Sequence, residues 1–74
     1  MRNYTIVLDP DVEDGGYTVT VPALPGVVTD GDTVEQCEER AREAIELHIE
    51  GLIADGLPVP EEQTPLQVLT VQVA

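Results

Sequence analysis

A single stretch of helical period, from Thr33 to about Ala54, fixes what the rest of this chain can become. It opens on Thr33-Val34-Glu35-Gln36, a capping box. The threonine oxygen accepts from the Gln36 amide and the Gln36 side chain turns back to the Thr33 amide, so two donors of the first turn find partners. Behind it Val34, Cys37, Ala41, Ala44, Ile45, His48, Ile49 and Leu52 recur along one stripe, the face that a helix buries. Glu35, Glu39, Arg42, Glu43, Glu46 and Glu50 fall on the solvated side, and Glu38 precedes Arg42 by the four residues of a surface ion pair. Gly51 weakens the later turns by about 1 kcal/mol relative to alanine. Gly56 stands close to the C-terminal cap.

A lone amphipathic helix needs a surface to lie on, and the flanking segments supply one by alternating with a period of two. Tyr4-Thr5-Ile6-Val7-Leu8 puts Tyr4, Ile6 and Leu8 on one face and Val7 on the other. Asp9-Pro10-Asp11-Val12-Glu13-Asp14-Gly15-Gly16 is a turn. Tyr17-Thr18-Val19-Thr20-Val21 alternates again and forms a hairpin with the first strand. Pro22-Ala23-Leu24-Pro25-Gly26 cannot carry a ladder, because each proline lacks a donor. Val27-Val28-Thr29 makes a short third strand, and Asp30-Gly31-Asp32 turns into the helix. Residues 66–73 read as a closing strand, with Leu69, Val71 and Val73 on one face and Leu66 and Val68 on the other. A strand apolar on both sides in so small a domain needs something to cover it beyond one helix. The expected fold is α+β: one domain over residues 1–74, β-β-β-α-β, an antiparallel sheet with one helix on one face.

Seventy-four residues without Phe or Trp must build a thin core from Val, Leu, Ile and Ala. Domains of this size usually add a disulfide, a metal or a partner. Cys37 and His48 are each the sole residue of their type, which removes the disulfide and any Cys/His metal cluster. A homo-oligomer is the expectation that remains. Fifteen carboxylates against three arginines and no lysine give a net charge of −12. Such a surface repels nucleic-acid phosphates and anionic membranes, and favours basic proteins. The chain starts directly on a strand pattern and has no apolar run near the ~18 residues of a membrane span. The expected location is the cytoplasm.

The segments Gly15-Gly16-Tyr17-Thr18-Val19-Thr20-Val21-Pro22, Leu24-Pro25-Gly26 and Thr29-Asp30-Gly31-Asp32-Thr33 resemble, in order and spacing, the HicB-like antitoxin domain. Ala41, Glu43-Ala44-Ile45 and Gly56-Leu57-Pro58-Val59-Pro60 continue the pattern. The resemblance implies a partial RNase H-like fold and the antitoxin half of a toxin–antitoxin pair. It also implies a partner, a small basic ribonuclease toxin of the HicA type, which the antitoxin blocks by binding. Many members of that family continue into a DNA-binding helix-turn-helix or ribbon-helix-helix domain. No such segment follows here, so direct operator binding is not expected. A solitary structural or regulatory homo-oligomer is the alternative.

No catalytic, cofactor-binding or metal-binding residue is expected, although three patterns come near such sites. Asp9, Asp11 and Glu13 have the alternate spacing of a calcium loop, but Asp14 and Thr20 stand where its glycine and bidentate glutamate belong. Asp9, Asp14 and Asp30 could gather at strand ends as in a metal-dependent nuclease, the less favoured enzyme reading. His48 and Cys37 share the stripe eleven residues apart, about 16 Å along a helix, too far for a Cys–His pair. Both read as packing residues. The chain is expected to bind rather than to catalyse.

Overall fold

A computed structural model describes residues 2–62 and 67–74. The element order is β1 (Val7–Pro10), β2 (Tyr17–Thr20), β3 (Val28–Gly31) and α1 (Val34–Ala54). The strands form an antiparallel meander in the order β1-β2-β3. Leu8, Val19 and Thr29 stand in register on one face, and Val7, Thr20 and Val28 on the other. The helix covers the first face, giving the expected α+β arrangement.

Two apolar clusters hold helix to sheet. Val19, Cys37 and Ala41 are buried together, with Ile6, Leu8 and Tyr17 against them. Val21, Leu24 and Val27 form the second, with Tyr4, Ile6, Ala44 and Ile45 packed around it. Leu24 is fully buried, so the proline-bounded connection between β2 and β3 is part of the core. Two successive tight turns make this possible: the Leu24 amide donates to the Val21 carbonyl and the Val27 amide to the Leu24 carbonyl, each at 2.9 Å.

The helix ends follow from local chemistry. Thr33 Oγ1 accepts from the Gln36 amide at 3.1 Å. The Gln36 side chain accepts from the Asp32 amide at 2.6 Å, one residue before the Thr33 amide that the sequence suggested. At the other end Gly56 adopts φ +69°. Its amide donates to Ile53 and that of Leu57 to Leu52, the paired bonds of a Schellman cap.

Several boundaries differ from the sequence reading. The first ladder starts at Val7 and runs to Pro10, so the turn shrinks to residues 11–16. Asp30 and Gly31 belong to β3 rather than to a turn. Val34 lies on the stripe but is half exposed. The ion pair among the described residues joins Arg40 to Asp30 at 3.2 Å, not Glu38 to Arg42. The closing strand is the largest difference. Among the described residues, 67–74 form no strand, and Val68, Leu69, Val71 and Val73 are 77% to 87% exposed. Leu66 lies outside the described residues. The physical reason is that neither edge of this sheet is paired with the tail.

Candidate functional site

The candidate catalytic carboxylates do not converge. Asp9 and Asp30 both lie opposite Thr18, on strands either side of it, which sets their backbones about 10 Å apart. Arg40 Nη1 donates to the Asp30 carbonyl at 3.3 Å and to its Oδ1 at 3.2 Å. Asp14 lies in the turn beyond β1. Among the described residues no group of three His, Cys, Asp or Glu side chains is placed to hold a metal ion. The calcium-like loop is closed on itself: Asp11 Oδ1 accepts from the amides of Glu13 and Asp14, at 3.0 and 3.1 Å. Its oxygen therefore serves the turn.

Cys37 is fully buried against the sheet, beside Gly31. His48 is half buried, and the space above Gly26 is limited by its Cε1 atom. They sit in different parts of α1: Cys37 belongs to the first apolar cluster, and His48 lies beside Gly26.

What the fold does assemble is a helix with three distinct sides. Cys37 and Ala41 face the sheet. Glu35, Glu39, Glu43, Glu46 and Glu50 are exposed, and no basic residue occupies the last turn. The partial negative charge at a helix C-terminus therefore adds to Glu50 and Asp55 instead of being offset. The third side is a groove of about 760 Å³ between α1 and the segment leading into β1. Tyr4, Ile6, Ala41, Ile45 and Ile49 give it apolar walls, while Glu38, Glu46 and Glu50 with Arg2 and Arg42 form its charged margin.

Sequence reasoning assigned Ala41, Ile45 and Ile49 to the buried stripe and so missed the groove. Their spacing of four signalled an apolar surface, but not that the sheet would stop short of covering it. The chain after the helix returns to this margin: the Tyr4 hydroxyl donates to the Pro60 carbonyl at 2.6 Å, and the Thr5 amide to Glu62 at 2.8 Å.

Residues 4–73 match the family described as the HicB_like antitoxin of bacterial toxin-antitoxin systems. The chain belongs to the HicB-like antitoxin family. A UPF0150 protein of Synechocystis is 44% identical over 71 residues, covering 96% of this chain and 89% of the relative. A UPF0150 protein of Thermoplasma acidophilum is 41% identical over 59 residues, 80% of this chain and 84% of the relative. Antitoxin HicB 1 of Photorhabdus laumondii is 39% identical over 57 residues, 77% of this chain but 36% of that longer protein. In this HicB-like chain, among the described residues, no helix is long and apolar enough to cross a membrane.

Proposed function

We propose that this HicB-like chain is a cytoplasmic antitoxin that neutralises a small basic ribonuclease toxin of the HicA type by direct binding, without chemistry of its own. The observation that carries the reading is the exposed glutamate face of α1 in a chain of net charge −12. A basic toxin that reads RNA phosphates presents cations spaced for anions. A rigid helix lined with carboxylates, with an uncompensated negative end, offers such cations an alternative. Desolvated apolar contacts then hold the complex, since charge sets encounter rate and partner choice more than residence time.

The same charge argues against nucleic acid as the partner, because three arginines release too few counterions to bind a duplex. A homo-oligomer is the expected assembly, supported by the thin core and the exposed apolar tail. That tail also favours a second reading, a solitary regulatory oligomer without a toxin.

Co-expression with a neighbouring small basic reading frame, followed by pull-down and an RNA-cleavage assay, tests the proposal. The expected result is a stable complex in which cleavage is suppressed. A basic product that is neither bound nor inhibited would overturn the antitoxin reading in favour of the solitary oligomer.

A further inference from the structure

Charge alone gives a fast encounter but not a lasting complex, so a surface that captures a basic protein needs apolar side chains next to its carboxylates. One side of α1 has both. Ala41, Ile45 and Ile49 recur every four residues along the groove, and Ile53, 60% exposed, extends the row by one more step. Glu38, Arg42, Glu46 and Glu50 recur at the same spacing and form its margin. Rows of this spacing are the ridges through which helices interlock.

The other exposed apolar side chains among the described residues lack this pairing. Val7 and Val28 lie on the open face of the sheet, away from the helix and with Thr20 between them. Residues 67–74 carry no ionisable side chain. Leu47 is exposed on α1, but it stands two residues from both Ile45 and Ile49, about 200° round the helix from that row. The charged margin is also graded. Arg42 interrupts its first half, between Glu38 and Glu46, and Arg2 stands on the opposite bank. Its second half is Glu46 and Glu50, followed by Asp55 at the cap, and no basic residue in the last turn offsets the negative end of the helix.

We infer that this groove is the seat of the toxin, and that the element it receives is an amphipathic basic helix. The inference rests on the antitoxin reading and names the surface, and the part of the partner, that such a capture uses. A row of aliphatic side chains on the partner helix lies between the ridge of Ile45, Ile49 and Ile53 and the bank of Tyr4 and Ile6. Lys or Arg side chains one step round that helix reach Glu46 and Glu50. Arg2 and Arg42 favour a carboxylate within it and so fix its register. Interlocked four-residue ridges set two helices at about −50°. From Ala41 to Ile53 the apolar ridge is about 18 Å long, room for about three turns. Tyrosine and arginine are enriched among the side chains that carry binding energy. One of the two tyrosines and two of the three arginines in this chain line the groove.

The test uses the full chain and the purified product of a neighbouring small basic reading frame, with binding kinetics and RNA cleavage as readouts. Glu46→Lys with Glu50→Lys is compared with Glu39→Lys with Glu43→Lys, which changes the net charge equally at exposed positions outside the groove. Ile53→Ala is compared with Leu47→Ala, both at exposed positions of α1; thermal melts check that all four variants fold. The groove pair is expected to lower affinity roughly ten-fold more than its control. Ile53→Ala should speed dissociation roughly five-fold, and Leu47→Ala should leave it unchanged. Equal losses from the two charge pairs, or equal effects of the two alanine variants, would overturn the inference while the antitoxin reading stands. Groove variants that spare toxin binding but change the sedimentation mass or the melt would give the groove to a second copy or to the chain's own residues after Glu62, with the same consequence. A parent chain that neither binds nor inhibits the basic product removes both readings.

Discussion

Gly31→Ala tests how closely the helix sits on the sheet. A methyl group at Gly31 would lie 2.8 Å from Cys37 Sγ, 2.9 Å from the Cys37 amide nitrogen and 3.2 Å from its Cα. Non-bonded carbons rest about 3.5–4.0 Å apart, so the start of α1 has to withdraw by roughly half an ångström. The sulfur could rotate away, but the amide nitrogen could not, because its proton is held by the Thr33 carbonyl at 2.9 Å. Withdrawal opens the Val19, Cys37 and Ala41 cluster, which is the centre of the helix–sheet contact. Overpacking of this kind costs about 1–3 kcal/mol. In a domain of this length that lowers Tm by roughly 4–24 °C. Thermal melts of variant and parent at equal concentration measure it. Cys37→Ala added to Gly31→Ala removes only the sulfur contact, so recovery should be partial. A Gly31→Ala melt within about 2 °C of the parent would refute the close approach.

Thr33→Ala should lose about 1 kcal/mol in urea unfolding, because the Gln36 amide then has no side-chain acceptor. Leu24→Ala should cost about 2–5 kcal/mol and leave the protein partly unfolded at 37 °C, since the side chain is fully buried in a thin core. A cost below about 1 kcal/mol would mean that the proline-bounded connection is not core after all. Arg40→Gln should change stability by less than about 1 kcal/mol, because in its ion pair with Asp30 the arginine is half exposed and the carboxylate largely so.

The span of the helix was legible because its signals are local. The threonine cap, the stripe and the glycine stop are each set by residues within a few positions of one another, and Val34–Ala54 is the observed span. Strand identity was legible from alternation, but the ladder limits were not. Alternation tells which face Tyr4, Ile6 and Leu8 take; pairing depends on where the neighbour ends. The β2 ladder stops at Thr20, as Val21 turns into the second cluster and Pro22 has no donor. Residues before Val7 therefore have no ladder partner in β2. Leu24 escaped notice for a related reason: a connection with two prolines reads as surface, and its burial depends on turns that close over the sheet. The tail showed in its two-faced pattern that it needs more cover than one helix gives. The groove was illegible, since it depends on how far the segment before β1 stands from α1, which no local pattern sets.

Salt separates the two associations that this fold is proposed to support, because one would join opposite charges and the other like charges. Toxin capture, as proposed, would use the glutamate face, where the charges of the partners are opposite. Steering of that kind raises on-rates by ~10–10³ and is screened over about 8 Å at physiological ionic strength. Added sodium chloride should therefore slow toxin association steeply and change dissociation little. Self-association, as proposed, joins like charges, two chains of −12 each. Screening removes the repulsion and leaves the apolar contact in place, so the homodimer should hold or tighten as salt rises from 50 mM to 1 M, an interval over which the screening length falls from above about 10 Å to about 3 Å. Sedimentation across the salt series and stopped-flow binding of the toxin measure the two trends on one preparation. A homodimer that dissociates in salt would place ion pairs at its centre. A toxin on-rate indifferent to salt would take the acidic helix face out of the encounter.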